Sequence, residues 1–376
     1  VAEALARAGN PGRSGHALSL RSARDLFEAR ERLCALFRGG DSARFAFMPN
    51  ATAALNTAIK GLLRRGDHVV TTSVEHNSVM RPLRRMEEEG VRVTIVPADP
   101  ATGRVEARTF CAAFRRSTRL AVVVHASNVS GAIQPVEEIA AAARARGIYT
   151  LVDAAQTAGS IPVDLSALPV DLLAAPGHKG LLGPQGTGFL FVREGVPLRP
   201  LLEGGTGSRS EWDAQPDFYP DRLESGTQNS VGIAGLAAAL AWLLRRGVEA
   251  VRRKERALLD ELLAGLRGMP GVVLYGPADS ASRVGVVSFN VEGVDPAAVA
   301  RRLEERWRIL VRAGLHCAPH AHRTLSTFPE GTVRASLGPF NDPGDVALLL
   351  EAVWAIARPR RAPRGERPRT NGPPAR

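Results

Sequence analysis

Along the chain, short apolar runs alternate with longer stretches in which apolar residues recur every three or four positions. The short runs are 45–48 (FAFM), 68–73 (HVVTTS), 91–97 (VRVTIVP), 120–125 (LAVVVH), 149–152 (YTLV), 171–174 (DLLA) and 187–192 (TGFLFV). They are rich in β-branched and aromatic residues and bounded by turn formers, so they predict strands. The stretches between them predict helices, as in 133–146 (IQPVEEIAAAARAR), which Gly147 closes. This alternation implies an α/β layer fold. Several strands are continuously apolar, which predicts a mostly parallel seven-stranded sheet covered on both faces.

From about residue 230 the pattern changes. Helical stretches at 230–246 and 249–267 precede strands near 272–275, 284–291, 309–312 and 332–336, with helices near 296–307 and 343–357. Asp295-Pro296 and Asp342-Pro343 each read as a helix start, with Asp as the N-cap and Pro at the first helical position. The expected organisation is a large domain over 16–245, a smaller α/β domain over 246–357 joined by 1–15, and a tail over 358–376.

Polar residues follow the strands of the large domain. Thr52 follows the first strand, His76 the second, Asn128 the fourth, Asp153 and Gln156 the fifth, and His178 and Lys179 the sixth. In open α/β sheets ligands bind beyond the carboxyl ends of the strands, so these groups predict a site.

Charge and composition remove several function classes. Of the net charge of +11, the tail 358–376 carries +6, from seven Arg and one Glu, leaving +5 on the 357 residues before it. The tail is Pro- and Arg-rich without apolar periodicity, which predicts a disordered, solvated extension. The body lacks an aromatic-and-basic stripe, so no specific nucleic-acid partner is expected. No run of about 18 apolar residues predicts a membrane span, and "VAEALARAGNPGRSGH" has no secretion-signal core. Cys34, Cys111 and Cys317 form no disulfide framework or zinc pattern, which fits a reducing, cytoplasmic setting. Cys34 and Cys111 sit on apolar helical faces and read as core.

The chain has 49 basic residues but only three lysines, Lys60, Lys179 and Lys254. A lysine at a pocket floor can form an imine with an aldehyde, and a buried carboxylate can keep a ring nitrogen protonated. An imidazole can lie over an aromatic ring, and a helix start bearing a threonine can seat a phosphate. Together these are the parts needed to hold pyridoxal 5′-phosphate (PLP). "GPQGTG" at 183–188 lacks the spacing of a dinucleotide loop, and no GxxxxGK[ST] loop exists. His316, Cys317, His320 and His322 match no common zinc spacing, so no metal is expected.

The stretches "NPGRSGH", "PNATAALN", "EHNSVMRP", "HASNVSG", "VDAAQTAG", "GHKGLLGPQGTG", "ESGTQNSVGIAGL", "RAGLHCAPHAH" and "GTVRASLGPFN" run nearly end to end. In order and spacing the sequence resembles class V aminotransferases of PLP fold type I. More narrowly, it resembles cysteine desulfurases of the Suf/selenocysteine-lyase-like branch. The resemblance implies that Lys179 tethers PLP, Asp153 pairs with its ring nitrogen, Gln156 bonds the ring oxygen and His76 stacks on the ring. It implies that Thr52, His178 and backbone amides near Ala51 hold the phosphate, with Thr227 reaching it across a homodimer interface. Asn128 and Arg334 would hold the carboxylate of L-cysteine. Cys317, in "RAGLHC", would attack the substrate sulfur, leaving a persulfide, with alanine as co-product and an acceptor thiol or sulfur-acceptor protein as recipient.

Within PLP chemistry the alternatives are a C–S or C–Se lyase, a selenocysteine lyase or an aminotransferase. Outside it stands a non-catalytic scaffold. Two departures from the family pattern matter. Pro176 stands where a hydroxyl-bearing phosphate ligand is usual, which predicts looser cofactor binding. The family's N-terminal segment with an Asn-Ala-Ala-Thr-like motif is also missing. That leaves open a start upstream of Val1 or a reduced wall around the substrate path.

Overall fold

The computed structural model describes residues 1–12 and 15–358; the expectation for the tail lies outside these residues, Arg358 apart. Seven strands form the main sheet: β1 (Phe45–Met48), β2 (His68–Thr72), β3 (Arg92–Val96), β4 (Thr118–Val124), β5 (Tyr149–Asp153), β6 (Leu172–Pro176) and β7 (Gly188–Val192). Their order is β1-β7-β6-β5-β4-β2-β3, and only β7 runs against its neighbours. The fold is therefore the expected mostly parallel α/β sheet.

Period-two alternation explains why the central strands are apolar at every position. Val70, Val123, Val152, Leu173 and Phe191 point into one core. Their chain neighbours Val69, Val122, Leu151, Leu172 and Leu190 point into the other. Helices α2 (Ala17–Phe37), α3 (Ala51–Leu62), α4 (Asn77–Glu88), α5 (Ala107–Ala112), α6 (Val136–Arg144) and α7 (Ser230–Arg246) cover both faces, and α1 (Ala2–Ala6) packs on the last of these. Helix α2 lies along α7 with Leu26, Leu33 and Phe37 in the first core, and α3 and α4 fill the second with Leu55 and Leu83. Burying a side chain of this size contributes about 1.5–3 kcal/mol, so each cluster outweighs any single polar contact. At the edge, β3 is only partly buried and starts with the exposed Arg92, as suits an edge strand.

Gly247 turns the chain through 79° between α7 and α8 (Val248–Arg267). Among the described residues no single helix is long and apolar enough to cross a membrane. Strands β8 (Val272–Tyr275), β9 (Val286–Val291), β10 (Arg312–Gly314) and β11 (Thr332–Ser336) form an antiparallel sheet of order β10-β11-β9-β8. Leucines of α8 pack there with α9 (Pro296–Trp307) and α11 (Pro343–Ala357), while α10 (Pro319–Thr324) follows the cysteine loop. Asp295 and Asp342 cap α9 and α11 as expected. The strand expected at 309–312 lies instead at Arg312–Gly314. The chain leaves α9 through the left-handed Arg308, and pairing begins only at Arg312 opposite Arg334.

Candidate active site

Parallel β2, β4, β5 and β6 end on one side of the sheet, and the loops after them enclose a cavity of about 230 Å³. Ala51, Thr52, His76, Asn128, Asp153, Gln156, His178 and Lys179 all line it. Eight of the eleven residues singled out from the sequence therefore meet in one place.

Each is placed by a local rule. Asn50 is extended and caps α3, its side chain accepting from the Ala53 N–H at 2.9 Å, so Ala51 and Thr52 form the first turn of a helix whose N–H end opens on the cavity. His76 caps α4, and its Nδ1 accepts from the Ser78 N–H at 3.0 Å. The Ser78 hydroxyl lies 2.9 Å from that nitrogen and 2.7 Å from the Thr52 hydroxyl, tying the two helix starts together. Asp153 ends β5 between β4 and β6, buried, and one of its oxygens accepts from the Ala155 N–H at 2.9 Å. Pro176 ends β6 and lines the cavity beside His178.

Burial sets the protonation states. It raises the Asp153 carboxyl above its ordinary range, with Lys179 pulling it back down. Lys179 projects into the cavity, so its surface is accessible there while surrounding protein shields the amine from bulk solvent. That shielding lowers its pKa, against the upward pull of Asp153. Burial, with Lys179, Arg312 and Arg81 adding to it, lowers His76 to about 4, so its ring is neutral at physiological pH.

A second cavity, of about 390 Å³, shares Ala155, Gln156 and Lys179 with the first and is lined by Arg334. Lys179 thus stands where the two meet. Arg334 lies directly opposite Arg312 in the β10–β11 pair; it donates to the Asn128 carbonyl at 3.0 Å, and its buried Nε has no partner. Cys317 is exposed, with an Arg312 guanidinium nitrogen 3.4 Å from its sulfur. Both His316 and Cys317 adopt left-handed backbone, with φ of 49° and 60°. Such strain persists only where neighbours over-determine it. Here the Asn128 side-chain amide donates to the His316 carbonyl at 2.7 Å, and the Asn77 N–H to the Cys317 carbonyl at 2.8 Å. The His316 ring is buried against Thr332.

Thr227 does not join this group. It is exposed and lines a separate cavity of about 310 Å³ with Phe47, Met48 and Leu202. Its loop is anchored by Glu224, which meets Arg30 at 2.7 Å in a buried pair and accepts from the Phe47 N–H at 2.6 Å. Cys34 and Cys111 pack against the core, as expected.

One group escaped the sequence reading. Glu75 is fully buried, and one of its oxygens accepts from the Thr72 hydroxyl at 2.7 Å and the Val124 N–H at 2.9 Å. The β2–β4 ladder ends at Val70 opposite Ala121, and the Glu75 carboxyl takes over the Val124 N–H beyond it. Burial raises this carboxyl to about 8. Its sequence signal was a carboxylate directly before His76 at a strand end. Arg312, which opens the "RAGLHC" motif, also lines the first cavity.

Residues 2–349 match the family described as Aminotransferase class-V. A probable cysteine desulfurase of Methanothermobacter thermautotrophicus is 38% identical over 357 residues, covering 93% of this chain and 88% of the relative. The apo structure of a cysteine desulfurase from Thermococcus onnurineus superposes with a TM-score of 0.86 at 32% identity, covering 95% of this chain and 90% of that one. A C-DES lysine-to-alanine mutant, with glycine covalently linked to its PLP cofactor, superposes with a TM-score of 0.79 at 25% identity, covering 91% and 88%. With its motifs in order and its fold matched almost end to end, the chain belongs to the class-V aminotransferase family.

Proposed function

We propose that the protein is a PLP-dependent cysteine desulfurase, which converts L-cysteine to L-alanine and keeps the sulfur as a persulfide on Cys317. The observation that carries this reading is the placing of the Cys317 thiol. It lies beside Arg312, which lines the cavity that holds a shielded amine, a buried carboxylate and a neutral imidazole.

The residues fit PLP. Lys179 would tether it, Asp153 would pair with the ring nitrogen, Gln156 would bond the ring oxygen and His76 would face the ring. The first turn of α3 with Thr52 and His178 would take the phosphate, since a helix N-terminus presents unpaired N–H groups to an anion. When bound, PLP supplies an aldehyde that captures the substrate amine and a ring that accepts electrons from the substrate's carbon framework.

The protein's own groups do the rest. Lys179, its proton affinity lowered by burial, takes and returns the proton at the substrate α-carbon. Arg334 offers a planar fork to the substrate carboxylate, and the second N–H of the Asn128 amide adds a further donor. The Cys317 thiolate attacks the substrate sulfur. A new S–S bond forms as the carbon–sulfur bond breaks, and the electrons of that bond return to the carbon skeleton, which takes up protons and leaves as alanine. The persulfide then passes to an acceptor thiol. A homodimer would bring Thr227 of the partner to the phosphate end, in keeping with its exposed position outside the site of its own chain. A reducing cytoplasm suits the reactive thiol.

The test is mass spectrometry of the PLP-loaded protein after L-cysteine is added without reductant. The expected result is one additional sulfur atom on the Cys317 peptide, absent in Lys179→Ala. An unmodified Cys317, or a sulfur on Cys34 or Cys111 instead, would overturn the assignment.

A further inference from the structure

On the outer side of Cys317 a groove of about 450 Å³ runs between α3 and α4, with the cysteine in its wall. Asn56 and Lys60 stand one turn apart on α3, and Arg81 and Arg85 one turn apart on α4, so both helices turn N–H donors toward the same space. Among the described residues no carboxylate lines its wall. Arg85 is paired with Glu88 and Glu89 at 2.9 and 3.0 Å. The side chains of Lys60 and Arg81 have no ionic or hydrogen-bond partner among the described residues. Thr52, His76 and Ser78 line both this groove and the cofactor cavity, so the two adjoin, with Cys317 in the wall of the groove.

We infer that this groove receives the sulfur acceptor and selects a small anionic thiol, one whose skeleton carries carboxylate, sulfonate or phosphate groups. The inference rests on the persulfide assigned to Cys317 above. The volume falls in the range of small-molecule pockets. Unpaired cations in a concave site raise the local concentration of anions. The acceptor thiolate attacks the outer sulfur of the Cys317 persulfide and a new S–S bond forms. The bond to Sγ breaks, Cys317 leaves as a thiolate beside Arg312, and the acceptor departs as a persulfide carrying the proton. No oxidant is needed.

The experiment uses PLP-loaded full-length protein and the double variant Lys60→Glu, Arg81→Glu, both sites lying outside the catalytic set. With L-cysteine as donor, 2-mercaptoethanesulfonate is compared with 2-mercaptoethanol as acceptor. The expected KM for the sulfonate is about fivefold lower at low salt, narrowing as salt rises, and the double variant removes the preference without changing turnover with the neutral thiol. Equal KM values, a preference that survives the double variant, or failure of both thiols to saturate would overturn the inference; the last result would point to a protein recipient. Alkylation of Cys317 by iodoacetate against iodoacetamide, read on its peptide, needs no turnover. It keeps the groove testable even if no alanine forms, a result that would count against the desulfurase reading instead. The iodoacetate-to-iodoacetamide ratio should fall about fivefold in the double variant, and an unchanged ratio would refute the groove's role.

Discussion

Position 179 carries an amine in a chain that uses arginine for almost every other cation, and its surroundings explain the exception. A guanidinium stays protonated and forms no imine, whereas an ammonium shielded from water gives up its proton more readily. Around Lys179, environment separates groups that composition would treat alike. Burial holds His76 neutral, and it keeps Glu75 protonated up to about pH 8, next to the Asp153 expected to carry charge beneath the cofactor. Pro176 stands where the resemblance leads one to expect a hydroxyl-bearing phosphate ligand. It lines the cavity beside His178 and offers no hydroxyl donor. One hydrogen bond to a charged group contributes about 1.5–3 kcal/mol. Pro176→Ser should therefore tighten PLP binding to the cofactor-free protein by about tenfold, measured by fluorescence titration; an unchanged or weaker affinity would show that other donors already saturate the phosphate.

At the level of elements, the strands were legible because burial on both faces writes continuous apolar runs, as in Leu120–Val124 and Leu172–Ala175. The residues after them were legible because parallel strands deliver their C-terminal loops to one side. What escaped the sequence depends on contacts between distant segments. Glu75 matters because the β2–β4 ladder stops short and leaves the Val124 N–H to its carboxyl. Asn128 holds the His316 carbonyl 188 positions away, which no local pattern encodes. Arg312 gains its place only when β10 pairs with β11, and the apolar Ile309–Val311 run concealed where that pairing starts. Thr227 was picked out by its motif, but the cavity it lines within its own chain is a different one.

For the molecule as a whole, buried titratable groups predict how stability varies with pH. Burial lowers His68, His76, His125 and His322 to about 4 and His316 to about 3, against an ordinary value of 6.5. From about pH 4 to 6.5 the unfolded chain therefore binds more protons at histidine than the folded one, and stability rises with pH. Glu75 and Glu255 are raised to about 8 from 4.5, so between those values the folded chain binds the extra protons and stability falls as pH rises. Five histidines outweigh two carboxyls below 6.5, and above it the two carboxyls outnumber the one lowered amine, Lys179, which acts in the opposite sense. The melting temperature of the cofactor-free protein should peak near pH 6.5 and decline toward pH 8, and Glu75→Gln with Glu255→Gln should flatten that decline. A melting temperature that climbs steadily through pH 8 would contradict this balance.

The fate of sulfur is tested most directly by measuring alanine, sulfide and pyruvate together when PLP-loaded protein turns over L-cysteine in the presence of reductant. The expected result is equal amounts of alanine and sulfide, no pyruvate, and loss of both products in Cys317→Ser while PLP remains bound. Pyruvate with ammonia, or activity that survives Cys317→Ser, would contradict it.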